Sequence, residues 1–349
     1  MLFVFHSCHS CSAVFRLFAL QIQAATAIVS PMYEMQKIIT VTLNPAIDRV
    51  IEVSGLQLGG HEQVRTTGSS PGGKGVNVSR TLAAMGLAST AMGLLGQDNR
   101  ELFETIFDDG LICDAFLNLP GLTRENITLR DTETGLDTHL RDTGLAVRRA
   151  DVREFVEQLG ATVEPGDVVV FSGSLPGGVT CDDFAEMLKT ADQTGARVAV
   201  DSSGPALQTA GKARLKNFWL IKPNLAELSE LVGRELATID EQLSAARGLA
   251  QKVEFVLLSA GADGAYLVTR ENVSHASVQL GCETVKNTVG CGDVLLGTFL
   301  GAVWEGNPPE AALGQAVAAA GACAANETAA KFDQATFEKL AENVKLEEF

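Results

Sequence analysis

The chain has 349 residues, of which 46% are hydrophobic and 20% charged, and its formal net charge at pH 7 is −16. This length suffices for one large α/β domain or two smaller ones with an ample core, and the composition is typical of a globular protein. The acidic balance and the lack of a basic stripe argue against nucleic acid and against an anionic membrane surface as partners. A site for phosphate groups would therefore have to concentrate a few Lys and Arg locally.

Residues 1–34 differ in composition from the rest of the chain, being rich in Phe, Leu, Ala, Ser and Cys. Residues 13–27 faintly resemble the apolar region and cleavage site of a signal peptide, but no Lys or Arg precedes them. No apolar run reaches the roughly 20 residues that span a membrane. We expect this segment to lie outside the fold, which would begin near Met35 (or Met32).

The seven cysteines, at positions 8, 11, 113, 181, 282, 291 and 323, are odd in number and scattered. This favours reduced thiols in a cytoplasmic protein over a disulfide framework. Cys8 and Cys11 form a C-x-x-C pattern, but no second pair has the spacing of a metal site. We therefore expect no metal or redox site there.

Strand and helix patterns alternate along the chain. Buried-strand patterns cover residues 38–43, 49–53, 90–95, 168–171, 197–200, 218–221, 255–259 and 265–268, and residues 113–140 are β-rich. Helical patterns cover residues 99–109, 151–162, 180–194, 224–231, 239–252, 293–304, 309–326 and 334–344. Residues 55–70 are polar and predicted to be irregular. The alternation predicts a doubly wound α/β fold, a mostly parallel sheet with helices on both faces.

In such sheets, ligands bind beyond the carboxyl ends of the strands. Polar residues follow four predicted strands, in segments 172–174, 201–203, 222–224 and 259–261. Each segment alone could be a turn or a helix cap. Four of them in series indicate a phosphate-handling site at one edge of the sheet.

The segment 287–293, with sequence NTVGCGD, combines two glycines with an acidic residue at the start of a helix. Gly290 and Gly292 allow a tight bend, so successive N–H groups can converge on an anion at the helix N-terminus. Asp293 then lies in the first turn, where a carboxylate could accept a proton from a nucleophile attacking phosphate. An ordinary glycine-rich loop with a favourably placed Asp is the alternative.

A second glycine-rich segment, 70–80, with sequence SPGGKGVNVSR, continues as a helix to about residue 86. It places Lys74 and Asn77 near that helix N-terminus. The two glycine-rich helix starts together favour phosphate chemistry over a dinucleotide-dependent dehydrogenase. No G-x-G-x-x-G opens a helix after the first strand.

These segments resemble the two signatures of the ribokinase-like carbohydrate kinases, phosphofructokinase-B branch. NTVGCGD is similar to the second signature, which usually has Ala at the position of Cys291, and PGGKGVNVSRTLAAMG is similar to the first. NPAID, TRENITL, SGSLP, KPNLAEL and SAGADG follow the family order. The resemblance covers residues 35 to about 345 and is greatest to bacterial 1-phosphofructokinases, with tagatose-6-phosphate kinases next.

The resemblance implies a ribokinase-like domain over residues 35–349, with small β-lid segments near 48–66 and 122–143. It implies ATP-dependent phosphorylation of fructose 1-phosphate to fructose 1,6-bisphosphate with Mg²⁺, and a homodimer formed through the lid. Tagatose 6-phosphate or fructose 6-phosphate is the alternative substrate. A non-catalytic sugar-phosphate sensor is disfavoured, because a sensor would be free to lose the acidic residue of the second signature.

The resemblance also implies roles for individual residues. Asp293 would be the catalytic base, and the backbone N–H groups of Gly290, Cys291 and Gly292 would form the anion hole. Glu227, with Asn224, would hold the metal through water. The expected sugar-phosphate ligands are Asp48, Gly73, Lys74, Asn77, Arg124, Asn126, Ser174 and Asp293. The expected ATP ligands are Lys222, Asn224, Ser259, Gly261, Gly264, Gly290 and Gly292.

Three positions depart from the family pattern. Cys291 contributes mainly backbone, but we expect the helix N-terminus to lower the pKa of its thiol and make activity sensitive to oxidation. Gln63 occupies a position where related kinases usually carry a basic residue, and Arg65 follows two residues later. The segment 137–141 differs from the lid sequence expected, and its Arg141 could serve as a replacement phosphate ligand.

Overall fold

A mostly parallel sheet of ten strands forms the centre of the molecule, in the order β14-β13-β12-β11-β10-β9-β8-β1-β4-β5. A computed structural model describes residues 37–281 and 284–349. The N-terminal extension, the Cys8–Cys11 pair and Cys282 lie outside the described residues. The strands of the central sheet are β1 (Ile38–Thr42), β4 (Ser89–Gly96), β5 (Ile112–Leu119), β8 (Val168–Ser172), β9 (Arg197–Asp201), β10 (Phe218–Ile221), β11 (Phe255–Ser259), β12 (Ala265–Val268), β13 (Val273–Ser277) and β14 (Lys345–Glu348).

Ten α-helices occur in the described part of the chain and cover both faces of this sheet. They are α1 (Lys74–Ala84), α2 (Glu101–Glu104), α3 (Arg149–Thr162), α4 (Cys181–Gln193), α5 (Gly204–Lys212), α6 (Leu225–Val232), α7 (Ile239–Leu249), α8 (Cys291–Trp304), α9 (Pro309–Ala324) and α10 (Gln334–Ala341). The strands from β5 to β11 run parallel, and β12 to β14 add an antiparallel edge. The predicted doubly wound fold is therefore confirmed.

The core is divided by the sheet into two layers. Phe155, Phe184 and Leu207 belong to the layer on which α3, α4 and α5 pack. Leu82 of α1 and Phe299 of α8 belong to the layer on the other face. Both layers consist mainly of buried apolar side chains that pack against the sheet. The carboxyl ends of β1, β8, β9, β10 and β11 meet at one edge.

A second sheet of four strands, in the order β3-β2-β6-β7, stands beside this edge and is called the lid below. Its strands are β2 (Ala46–Val53), β3 (Val64–Gly72), β6 (Arg124–Asp131) and β7 (Asp137–Arg141). β2 pairs with β6 in parallel, with Asp48 opposite Asn126, and Asn126 lies opposite Arg141 of β7. These three side chains therefore form one row across the lid.

Several predicted elements were wrong or incomplete. Residues 64–70, predicted to be irregular, belong to β3, whose polar sequence is paired along β2. The helix α5 and the strands β13 and β14 were not predicted at all. Where a helix was predicted over residues 99–109, the structure has only the four-residue helix α2. The helix predicted over residues 334–344 ends at Ala341. Among the described residues, none of the helices combines the length and apolarity needed to span a bilayer.

Candidate active site

The loop before α8 packs against the neighbouring loop that contains Ala330, and within it the N–H of Cys291 donates to the carbonyl of Thr288 at 3.4 Å. Gly290 caps α8 with a φ of 81°, in the left-handed region that favours glycine. A β-carbon on Gly290 would lie 2.5 Å from the β-carbon of Ala330. The backbone N–H of Ala330 donates to the carbonyl of Val289 at 3.1 Å. Glycine is thus required at position 290 both for the turn and for this close approach.

Asp293 lies in the first turn of α8, is 6% exposed, and accepts a hydrogen bond from Nδ2 of Asn77 at 2.7 Å. Asn77 belongs to α1, so the two glycine-rich helix starts meet at this contact. Burial, followed by the nearby charge of Asp201, raises the pKa of Asp293 to about 7. A carboxyl group with this pKa exchanges a proton readily near neutral pH.

Two lysines and a buried aspartate surround this carboxyl group. Oδ1 of Asp201 lies 3.0 Å from Nζ of Lys74 and 3.2 Å from Nζ of Lys222. A β-carbon built on Gly292 would lie 3.3 Å from Nζ of Lys222, so this ammonium group lies directly beside the glycine loop. Burial alone would lower the pKa of Lys74, but the charges of Asp201 and Asp293 outweigh it and the pKa is raised. Asp201 thus holds both lysine side chains in place beside the N-terminus of α8.

The row of lid residues begins beside the first glycine-rich segment, because a β-carbon on Gly72 would meet Oδ2 of Asp48. Nδ2 of Asn126 donates to Oδ1 of Asp48 at 2.9 Å. Burial raises the pKa of Asp48, while Asn126 and the positive charges of Arg141, Arg124 and Arg80 act in the opposite direction. Asp48 is thus a hydrogen-bond acceptor ringed by guanidinium groups, an environment suited to a ligand with both hydroxyl and phosphate groups.

Some of the N–H groups of Arg124 are hydrogen-bonded to the protein backbone. It donates to the carbonyls of Pro45 at 3.3 Å, Asn44 at 3.0 Å and Asp142 at 3.2 Å. Burial lowers its pKa, and the charge of Asp48 opposes this effect. A guanidinium group has five N–H donors, so this network leaves others for an anion. The carbonyl contacts fix the direction in which Arg124 points.

Gly73 and Ser174, both predicted as sugar contacts, border the same space. Gly73 has a φ of 113°, and a β-carbon there would lie 3.0 Å from the α-carbon of Pro45. Oγ of Ser174 accepts a hydrogen bond from Nδ2 of Asn44 at 3.2 Å. Asn44 therefore links the loop after β1 to the loop after β8.

Asn224 and Glu227, the predicted metal pair, form a reciprocal cap at the start of α6. The N–H of Glu227 donates to Oδ1 of Asn224 at 2.9 Å, and the N–H of Asn224 donates to Oε2 of Glu227 at 2.8 Å. Glu227 also contributes to the raised pKa of Lys74, which places its charge within reach of the site. The described residues contain no group of three or more His, Cys, Asp or Glu side chains that could hold a metal.

The remaining predicted ATP residues lie at the end of β11 and in the turn that follows it. Ser259 is half-buried, and Gly261 begins an exposed turn with a φ of 61°. A β-carbon on Gly264 would lie 2.9 Å from the α-carbon of Ser277, so this glycine is needed where the chain passes β13. A cavity of about 710 Å³ opens beside Ser277, with Lys286, Ala325 and Thr336 in its wall.

The thiol of Cys291 does not behave as its helix position predicts. Its hydrogen bond to Cys323, followed by burial, raises its pKa, although a helix N-terminus by itself would lower it. The prediction of a lowered pKa was therefore wrong. The prediction failed because Cys323, which raises the pKa of this thiol, is distant in the sequence and is brought close only by the fold.

Sequence reasoning missed three residues of this site. Asp201 was noted only as a polar residue after a strand, although it is fully buried between two lysines. Arg80 belongs to the first glycine-rich segment and faces Asp48, and Asn44 belongs to the NPAID segment. Their positions after a strand or inside a glycine-rich segment were the available signals.

Comparison with known proteins identifies the family. The model of the pfkB family carbohydrate kinases matches residues 41–335. The chain is 37% identical to the 1-phosphofructokinase of Haemophilus influenzae, over 75% of this chain and 82% of that protein. It is 34% identical to the 1-phosphofructokinase of Bacillus subtilis, over 83% and 93% respectively.

Solved structures give the same result. Escherichia coli phosphofructokinase-2 in complex with potassium superposes with a TM-score of 0.82 at 30% identity, covering 88% of this chain and 99% of that one. A tetrameric inhibited form of the same enzyme gives a TM-score of 0.80 at 29% identity, with the same coverage. The chain therefore belongs to the pfkB family of carbohydrate kinases and is an ATP-dependent sugar kinase.

Proposed function

We propose that this kinase transfers the γ-phosphoryl group of ATP to fructose 1-phosphate, giving fructose 1,6-bisphosphate. The observation that carries the proposal is the position of Asp293. Its buried carboxyl group, with a pKa of about 7, lies in the first helical turn after the glycine loop and faces two lysines. A general base and an anion site are thereby adjacent, as phosphoryl transfer requires.

The proposed reaction assigns one task to each part of the cluster. Asp293 accepts the proton of the sugar hydroxyl while the hydroxyl oxygen bonds to the γ-phosphorus of ATP. The bond from that phosphorus to the ADP oxygen breaks. The N–H groups of Gly290, Cys291 and Gly292 stabilise the charge on the transferring group, and Lys222 adds a positive charge beside Gly292. Asn77 orients the carboxyl group of Asp293.

The family implies a divalent metal, and we propose Mg²⁺ held through water by Glu227 and Asn224. The capping hydrogen bonds use Oδ1 of Asn224 and Oε2 of Glu227, which leaves Oε1 of Glu227 to accept from a water of the ion. Oxygen donors acting through water suit Mg²⁺, which keeps several of its own waters. When bound, the ion would neutralise charge on the ATP phosphates.

We infer that the nucleoside end of ATP lies in the cavity beside Ser277. Its volume of about 710 Å³ fits the range of small-molecule sites. Lys286, in its wall, lies four residues before Gly290, so a single loop connects the cavity to the proposed anion hole. Gly264 packs directly on Ser277, which connects the turn after β11 to the same cavity.

On the sugar side, we propose that Asp48 and Asn126 bind hydroxyl groups and that Arg124, with Arg141, binds the phosphate already present on the sugar. The names of the bacterial relatives favour fructose 1-phosphate. A structure of Escherichia coli phosphofructokinase-2 in complex with fructose 6-phosphate keeps that sugar phosphate as a second candidate. Tagatose 6-phosphate remains the other alternative.

A homodimer through the lid completes the proposal. The lid face opposite Asp48 carries Ile51, Ile127, Leu129 and Leu140 in paired positions. Leu140 is 49% exposed. An apolar sheet face next to solvent is a suitable surface for a second copy of the chain.

A coupled assay on the protein beginning at Met35 tests the substrate. Fructose 1-phosphate, tagatose 6-phosphate and fructose 6-phosphate are compared at equal concentrations, with kcat/KM measured for each. We expect the highest kcat/KM for fructose 1-phosphate. Preference for another sugar would overturn this substrate and move the explanation to Arg124, Arg141 and the lid.

A further inference from the structure

Two helices that are distant in sequence are joined next to the glycine loop. The N–H groups of Lys286 and Asn287 both donate to the carbonyl of Ala324, at 2.8 and 3.2 Å. These bonds tie the segment before α8 to the last residue of α9. As a result, Cys291, the first residue of α8, lies beside Cys323, the residue before the end of α9.

The two cysteine side chains belong to one apolar region of the structure. Cys323 is fully buried in a small apolar cluster that includes Val294 and Phe337, and the half-buried Cys291 packs against this cluster. Each of these two thiols shifts the pKa of the other, so the two side chains interact. The sulfur of Cys291 also lies 3.8 Å from the carbonyl oxygen of Asn287. No disulfide joins them, and both are free.

Their surroundings make the two sulfurs unequal. The hydrogen bond from Cys291 and the backbone N–H groups of Lys331 and Ala330 lower the pKa of Cys323. The same thiol pair raises the pKa of Cys291. Cys323 is thereby the more acidic of the two thiols, and the half-buried Cys291 borders the site. Thiolates are the reactive form in oxidation by peroxide.

We propose that Cys291 and Cys323 form a reversible disulfide on exposure to peroxide, and that this bond displaces the backbone of Cys291 and switches off phosphoryl transfer. One sulfur attacks the peroxide, the O–O bond breaks and hydroxide leaves, which gives a sulfenic acid. The second sulfur displaces hydroxide from that sulfenic sulfur. The two hydroxides take up the two thiol protons, so two thiols and one peroxide become one disulfide and two waters.

The displacement follows from bond length. A disulfide S–S bond is about 2.05 Å long, shorter than any hydrogen-bonded contact between thiols. Cys323 is fixed in a packed cluster, so Cys291 is the residue that moves, together with its N–H group. Catalytic donors must be held to within about 0.5 Å, so this shift impairs the anion hole. The catalytic consequence rests on the proposed function, whereas the cross-link does not.

The test treats the full chain, reduced beforehand, with hydrogen peroxide. Mass spectrometry of peptides identifies any Cys291–Cys323 cross-link, and kcat is measured before and after reduction with dithiothreitol. We expect the cross-link to accompany a fall in kcat of about 100-fold, the effect of a misplacement of about 1 Å, and both to reverse on reduction. Cys323→Ala should keep its basal kcat and lose the reversible fall. A Cys113→Ala/Cys181→Ala double variant, at two exposed cysteines, should respond as the wild type does.

Two outcomes overturn the cross-link as the cause of inactivation. One is inactivated enzyme that contains no Cys291–Cys323 peptide. The other is reversible inactivation of Cys323→Ala to the same extent as the wild type. A cross-link without loss of kcat overturns the switch while leaving kinase activity in place. Absence of kinase activity in the reduced protein contradicts the proposed function instead. Melting temperatures verify that Cys323→Ala is folded. If Cys323→Ala is not folded, Cys291→Ala serves as the second variant. Peroxide should shift the melting temperature of the wild type, and dithiothreitol should reverse the shift. Cys291→Ala must not show this reversible shift.

Discussion

The edge of the central sheet and the lid are built on different physical principles. At the sheet edge, Asp201, Lys222 and Asp293 are almost fully buried, and each charge has a partner or a neighbour of opposite sign. In the lid, Arg141 is exposed, and apolar side chains such as Leu140 face solvent. Buried charges between two packed helix layers cannot move far, whereas lid residues can be exchanged at small cost. We infer that the sheet edge fixes the chemistry and the lid fixes the choice of sugar.

The largest effect should come from the proposed base. Asp293→Asn keeps the shape and the hydrogen bond partner but cannot accept a proton, so kcat should fall about 10³–10⁴-fold. ATP binding, measured by calorimetry, should change little. Asp182→Asn is the matched control, because Asp182 is an exposed acidic residue in the first turn of α4. A kcat close to that of the wild type would show that Asp293 is not the base.

A smaller loss should follow removal of the cation beside the glycine loop. Lys222→Met removes a charge next to the transferring group, so kcat/KM for ATP should fall about 100-fold. Lys74 remains to pair with Asp201, which should preserve the fold. Lys189→Met, at an exposed position of α4, is the control. Equal kcat/KM values in the two variants would remove Lys222 from the mechanism.

In the lid, the effect should appear in KM for the sugar phosphate. Arg124→Ala removes a charged donor to the substrate phosphate, so KM should rise about 10- to 100-fold with a lesser change in kcat. Arg130→Ala is the matched control on the same strand, where Arg130 pairs with Asp137. If kcat falls and KM does not change, Arg124 acts on the chemistry and the division between the two regions is wrong.

The smallest effect on turnover should come from the apolar lid face. Leu129→Asp/Leu140→Asp places charges where a second copy would pack, so sedimentation should show a shift from dimer to monomer. Val232→Asp is the control, since Val232 is 40% exposed on α6, away from the lid. A wild-type protein that sediments as a monomer would contradict the proposed dimer before any variant is made.

The sequence predicted the regular parts of the fold well, because strong apolar runs and glycine-rich helix starts are local signals. It missed β3, whose polar residues are ordered only by pairing with β2, and β14, which is exposed and paired with β13. The glycine loop and Asp293 were predicted as a unit. The roles of Asp201 and Cys323 were not, because each depends on side chains more than 20 residues away that only the fold brings close.

The most direct test of the account is the pH dependence of kcat/KM in the wild type and in Asn77→Ala. A base must be deprotonated, so the rate should rise with pH and level off above a midpoint of about 7 in the wild type. The hydrogen bond from Asn77 favours the charged carboxylate, so its removal should move the midpoint to higher pH. Ionisation of the substrate phosphates cannot respond to this substitution. Coincident midpoints in the two proteins would contradict the assignment of Asp293 as the base.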